Sequence, residues 1–253
     1  GEEPGEAGLA PSQFRWTRTV RPIAARKVGP DVGQVNISFE DAPEPLDVFV
    51  AVNKLDELID KILLPESVRY MHQSGKAFDT TKEELMAFIG MVYVMSYHWV
   101  PELRDYWSLD PDLGVPFVAN VMPRDRFLEI RQAIHFVNNE SLQVDRTDRA
   151  WKMRPILDHW NEAFGAAMEP TLEMSVDEHM IKFKGQSAMK QYMPKKPIKR
   201  GFKMWCRNDA ATGYLFEFDL YTGRKEQREG GLGESVVIQL TRAIVGKNLR
   251  IFM

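Results

Sequence analysis

Two adjacent carboxylates, Asp177-Glu178, stand at the head of a stretch unlike the rest of the chain. From 179 to 208 there is no Asp or Glu, and the window holds nine cations: Lys182, Lys184, Lys190, Lys195, Lys196, Lys199, Arg200, Lys203 and Arg207. Phe183, Tyr192, Phe202 and Trp205 are interleaved with them. A carboxylate is a hard oxygen ligand of the kind Mg²⁺ takes, alongside water and substrate phosphate. Lys and Arg neutralise phosphates, and aromatic rings stack on unpaired bases. The ligand class that this pattern favours is a polynucleotide. Blander readings of the same residues stay open at this level. Asp177 also fits a strand-end acid on a solvated surface, and Phe202, Met204 and Cys206 alternate as core residues would.

The remaining chemistry-bearing residues form weaker patterns. Gly230, Gly231 and Gly233 precede a helical pattern, but no Lys-Ser/Thr follows as a phosphate-binding loop needs, so a capping turn explains them. Glu217 and Asp219 share a strand face, for which a solvated surface is the default. His72, His98, His135, His159 and His179 show no metal-ligand spacing. Nothing marks a nucleophile for Ser-His-Asp chemistry.

Those residues sit in a chain of ordinary globular composition. It has 253 residues, 44% hydrophobic and 27% charged, with a net charge of −3. Because the window carries +9, the other 223 residues carry −12. Charge so segregated is an electrostatic footprint, for which phosphate is a natural partner. Cys206 is the single cysteine, which excludes an internal disulfide and any zinc site of two or more thiolates. The longest stretch free of Asp, Glu, Lys and Arg, 85–101, falls short of the roughly 20 apolar residues a bilayer span needs. It reads as a buried helix, and no membrane partner is expected.

The elements that must position the candidate site read as follows. Residues 1–45 hold six prolines and five glycines and predict a disordered tail, in which Phe14 and Trp16 lie among arginines. Residues 46–168 carry helical periodicity: Val52, Leu55, Leu58, Ile59 and Ile62 share a face, Thr81 with Glu84 reads as a capping box, and Phe127, Ile130 and Ile134 form a stripe. Pro123 suits a first helical turn, and a last helix with Trp151, Ile156, Trp160 and Phe164 is kinked or restarted at Pro155. After residue 169 the period becomes two. Leu172, Met174 and Val176 predict a strand ending at Asp177-Glu178, with further strands at 202–208 and 214–221 joined by a turn at 209–213. A helix with Val236, Val237, Leu240 and Ile244 and a strand at 248–253 follow. Three strands, a helix and a strand open an RNase H-like fold, although other α+β folds share that order.

Several blocks also resemble one family. Ser175-Val-Asp-Glu-His-Met-Ile-Lys-Phe-Lys-Gly185 followed by Gln191-Tyr-Met-Pro-Lys-Lys-Pro-Ile-Lys-Arg-Gly-Phe-Lys203 is similar to the piggyBac transposases and their domesticated relatives. So are Met122-Pro-Arg-Asp-Arg-Phe127, Ile134-His-Phe-Val-Asn138 and Trp151-Lys-Met-Arg-Pro-Ile-Leu-Asp158. The resemblance implies an α+β chain: an all-helical domain at 46–168 for dimerisation and DNA binding, then the first half of an RNase H-like domain at 169–253. It implies three aspartates holding two Mg²⁺ ions, with Asp177 as the first, and a DNA-binding role for Lys182, Lys184, Lys190, Lys195, Lys196, Lys199, Arg200 and Lys203. Such an enzyme nicks a transposon end, forms a hairpin through the freed 3′-hydroxyl and joins the DNA to a TTAA target. A homodimer, DNA as partner and residence in the nucleus follow from the same resemblance.

The family pattern continues where residues 249–253 stop. Its second and third aspartates and its cysteine-rich zinc-binding domain have no match here, so the expectation is an N-terminal fragment that cannot cut DNA by itself. A domesticated DNA- or chromatin-binding protein without catalysis fits the same residues.

Overall fold

The computed structural model describes residues 33–141, 145–223, 231–247 and 249–253. Most of the expected tail, including Phe14 and Trp16, and also Gly230 and Asn248 lie outside the described residues. The described chain divides into two compact units, one built on Val35–Glu169 with Gly185–Lys190, the other on Pro170–Lys184 with Gln191–Met253.

The first unit is made of helices and one isolated bridge, Val35 to Met168. Helix α1 is Pro45–Val52, with Glu44 and Asp47 closing a reciprocal cap at its start. Lys54, at φ 43, breaks it from α2, Leu55–Leu58. The chain then runs through a π turn, Ile59–Leu63, into α3, Leu64–Gln73. Pro65 has no N–H to return to the preceding turn, and the wider π turn absorbs that loss. Helix α4, Lys82–Tyr97, starts at Thr81, whose Oγ1 accepts from Glu84 N at 3.3 Å. The other half of the expected capping box is not made by Glu84. Its carboxylate accepts from Arg126 at 2.9 and 2.6 Å instead, and Arg126 also reaches Glu129 and the Asp79 carbonyl.

Helix α4 corrects a second expectation. Leu85, Phe88 and Met91 are buried, with Phe88 against Phe127, but Val92, Tyr93 and Tyr97 are exposed. A helix packed along one side leaves its other apolar residues outside, which hydrophobicity alone does not reveal. After α5, Pro116–Ala119, comes α6, Arg124–Ala133, which Pro123 caps rather than enters. Its buried Phe127 and Ile130 complete the core with Leu58, Ile59 and Leu85. Helix α7, Arg154–Ala167, begins just before Pro155, so the proline starts the helix and does not kink it. No helix among the described residues is long and apolar enough to cross a membrane.

Among the described residues, the second unit is a five-stranded mixed sheet with one α-helix and a short 3-10 turn, Arg242–Ile244. Its strands are β1 (Glu173–Lys182), β2 (Gln191–Tyr192), β3 (Arg200–Asp209), β4 (Leu215–Leu220) and β5 (Arg250–Phe252), and α8 is Leu232–Thr241. β3 is antiparallel to β1 on one side, and to β2 and β4 on the other. β5 lies parallel to β1 along Glu173, Met174 and Ser175. Val176 and Trp205 pack with Val236, Val237 and Leu240, so α8 covers one face. The turn after β3 is held by Asp209. Its fully buried carboxylate accepts from Thr171 and from the amides of Ala211 and Thr212, and Gly213 takes φ 74.

Two strand expectations change. β1 runs five residues beyond Asp177, so Asp177 lies mid-strand, and β2 was not foreseen. The extension depends on Gly201, paired with Lys182. A Cβ on Gly201 would sit 1.8 Å from the Ile181 carbonyl oxygen, a clash with backbone that no rotamer relieves. Gly201→Ala is expected to cost at least about 2 kcal/mol in urea unfolding, because the β1–β3 ladder must separate there.

Candidate nucleic-acid and metal site on the sheet

Strand alternation decides where Asp177 points. Met174, Val176 and Met180 are buried, while Asp177 is exposed and pairs across the ladder with Cys206. Its side chain is 73% exposed, so the desolvation cost that sequence alone attaches to a mid-sheet acid does not arise. The carboxylate is nevertheless held. Oδ1 accepts from the Glu178 amide at 2.7 Å, and Oδ2 lies 3.7 Å from Lys196 Nζ. The same ammonium is 3.4 Å from Glu178 Oε1 and donates to the Glu178 carbonyl at 3.5 Å. These groups gather just past the pair Ser175–Phe252, where the parallel partner β5 ends its register with β1.

The loop after β2 delivers Lys196. β2 is tied to β3 through Gln191–Gly201 and Tyr192–Arg200. Met193 N donates to the Lys199 carbonyl at 2.8 Å, and Lys196 N donates to the Met193 carbonyl at 3.2 Å. Pro194 and Pro197 stiffen the turn between these bonds. Lys195 is left facing solvent while Lys196 is turned inward, 31% exposed.

The basic window is sorted by the fold. Lys182, Lys184, Lys195, Lys199 and Arg200 are exposed. Lys190, Lys196 and Lys203 are half-buried and engaged: Lys190 donates to the Gly185 carbonyl at 2.7 Å, and Lys203 Nζ sits 3.7 Å from the Trp205 ring centroid. Burial lowers the Lys203 ammonium's pKa, with Glu178 acting the other way. Arg207 is buried, 4% exposed, and donates to Glu217 at 3.0 Å, so it is withdrawn from phosphate, and Glu217 is its counter-ion rather than a solvated acid. Tyr192 is exposed with the Arg200 guanidinium 5.0 Å from its ring, and Phe183 packs on Phe202 at 4.7 Å.

As a donor set for Mg²⁺, Asp177 fits the part of a single ligand: an accessible carboxylate of fixed direction on β1. Among the described residues no group of three or more His, Cys, Asp or Glu is placed to hold a metal ion. Three of the five histidines are engaged in the helical unit, while His179 is exposed on β1 two residues from Asp177. His72 faces the Phe78 carbonyl, His159 the Asn53 carbonyl, and His135 lies on Tyr70 and contacts Asn139. Sequence reasoning missed the Lys196 contacts because they join residues 18 and 19 positions apart through a loop of unknown path. The Pro-Lys-Lys-Pro spacing was the one signal of a rigid turn there.

A family model described as Transposase IS4 matches residues 54–253. PiggyBac transposable element-derived protein 3 of Homo sapiens is 29% identical over 236 residues, which is 91% of this chain and 38% of that protein. The chain belongs to the piggyBac-type transposase family. PiggyBac transposable element-derived protein 2 of Homo sapiens is 30% identical over 257 residues, 96% of this chain and 43% of its own length. The chain thus spans about two-fifths of these piggyBac relatives. A piggyBac transposase solved by cryo-EM as a synaptic complex with hairpin DNA shares the fold, with a TM-score of 0.64 at 22% identity over 79% of this chain and 49% of that one.

Cys206 is the cross-strand partner of Asp177, and its thiol is buried. Burial, with the Asp177 charge adding, pushes its thiol up to about 11. A raised folded-state value favours the native state fully below the ordinary thiol range near 9, and that contribution is lost as pH rises toward 11. Native protein is expected to react slowly with a thiol reagent at pH 8 and at once in urea. Stability should fall between pH 9 and 11, and Cys206→Ala should flatten that fall.

Proposed function

We propose that the chain acts in piggyBac-type DNA transposition, with Lys182, Lys184, Lys195, Lys199 and Arg200 gripping the phosphate backbone and Asp177 serving as one of the carboxylates that hold Mg²⁺. The observation that carries this reading is the position of those five exposed cations on the strands and loop that frame Asp177. Lys182 lies five residues along β1 from Asp177, about 16 Å at the rise of an extended strand. Tyr192, exposed beside Arg200, offers a face for an unpaired base.

The RNase H-like reading of the sheet is part of the proposal. It is supported by three antiparallel strands, β4–β3–β1, followed by a helix and a strand parallel to β1. When bound, two metal ions would activate a water or 3′-hydroxyl and steady the departing oxygen of the phosphodiester. The residues present here orient that chemistry: the Glu178 amide fixes Asp177 Oδ1, and the exposed cations place the phosphate chain. Dimerisation through the helical unit and residence in the nucleus complete the reading. A domesticated DNA-binding protein without catalysis is the second reading. It is favoured by Lys196, which compensates the Asp177 charge without any metal.

Duplex or hairpin DNA titrated by fluorescence anisotropy at several salt concentrations tests the interface. Alanine at Lys182, Lys184, Lys195, Lys199 and Arg200 together should weaken binding and lower the slope of log K against log salt by about 0.9 for each phosphate no longer neutralised. Lys203→Gln and Lys190→Gln should change the slope little. An unchanged slope in the fivefold variant would remove this surface from the interface.

A further inference from the structure

The fold treats one of the four aromatic residues of the acid-free window differently from the others. Phe183 packs on Phe202, and Trp205 is buried against Val236, Val237 and Leu240 with Lys203 over its ring. Tyr192 is left 61% exposed. Single exposed aromatics are ordinary on a protein surface, but the backbone and one face of this one are held. Its cross-strand partner Arg200 lays a guanidinium over the ring, 5.0 Å from the centroid. Arg200 is fixed in turn, since its carbonyl accepts from Phe183 N at 3.4 Å. Immediately after Tyr192, Met193 N donates to the Lys199 carbonyl at 2.8 Å, and Pro194 and Pro197 stiffen the turn that follows.

A ring presented in this way selects by base accessibility. In a continuous duplex each base is stacked on both faces, so a protein side chain finds no face to cover. An unpaired base has a face to offer, and every base can use it, because stacking needs only a π surface. Arg200 and Lys199, exposed beside Tyr192, supply positive charge for the phosphate of the same nucleotide. We propose that Tyr192, backed by Arg200, is the specificity-determining residue that makes this surface prefer DNA carrying an unpaired base over continuous duplex. This rests on the reading of the exposed cations as a DNA grip. Those cations hold both kinds of DNA alike through phosphate, and the ring distinguishes between them.

The test is fluorescence anisotropy with two labelled duplexes of the same sequence, one continuous and one with a single unpaired base bulged from the centre of one strand. Wild type, Tyr192→Phe and Tyr192→Leu are compared at several salt concentrations, each checked for an unchanged circular dichroism spectrum. If Tyr192→Leu disturbs the spectrum, Tyr192→Val takes its place. Wild type is expected to bind the bulged duplex at least about fivefold more tightly than the continuous one, the lower end of what base–aromatic stacking contributes. Tyr192→Phe should keep that preference, because the ring remains. Tyr192→Leu should lose it while its affinity for continuous duplex and its salt slope stay at wild-type values. Salt-dependent binding of both DNAs without a preference, or a preference that survives in Tyr192→Leu, overturns the role of Tyr192 and leaves the cation grip standing. Equal weakening on both DNAs in Tyr192→Leu, or loss of the preference in Tyr192→Phe, overturns selection by stacking. No measurable binding of either DNA by wild type overturns both readings.

Discussion

The antiparallel ladder between β1 and β3 is the constraint on which the site depends. Nine paired positions, from Met174–Asp209 to Lys182–Gly201, set which β1 side chains face α8 and which face out. A slip of one residue would bury Asp177 and expose Val176, since strand side chains alternate. Two features hold the register at its ends. Asp209 is tied to Thr171 and to the turn after β3, and Gly201 allows the chains to meet where a side chain would strike the Ile181 carbonyl. Between these ends, Val176 and Trp205 lock the sheet to α8.

Given that register, the fold divides a single basic window among distinct tasks. Cations on the solvent side of the strand ends are left exposed. Lys196 is carried back over the carboxylates, Lys203 is laid on an indole, and Arg207 is sealed inside with Glu217. Exposed cations contribute little to folding and remain open to phosphate, whereas a buried arginine with one counter-ion is a structural commitment that is costly to break. A run of positive charge in a sequence therefore overstates the binding surface. Here it includes three half-buried lysines and one buried arginine.

Much of this organisation was legible in the residues. The switch from period 3.6 to period 2 after residue 169 located the change from helices to sheet, and the order of three main strands, helix and strand was readable from alternation and turn residues. The family blocks in the helical half also carry side-chain contacts that hold the fold. Arg126 in the Met122–Phe127 block clamps Glu84, Glu129 and the Asp79 carbonyl, and Arg154 in the Trp151–Asp158 block meets Asp148 at 2.5 Å. What stayed hidden depended on distant partners. The length of β1 is set by Gly201, which looks like an ordinary turn glycine until its neighbour is known. The exposed side of α4 could not be told from its buried side by composition, and the direction of Lys196 required the path of the loop.

The central claim is that a metal ion binds beside the Asp177 carboxylate on β1. Iron-directed backbone cleavage tests it most directly, because Fe²⁺ bound in place of Mg²⁺ with ascorbate generates radicals that cut only nearby peptide bonds. Mass spectrometry of the fragments should show cuts centred on 176–178, with a second set at 250–253, and both should disappear in Asp177→Asn. Cuts scattered over the acidic helical surfaces, or a pattern unaffected by Asp177→Asn, would contradict the account.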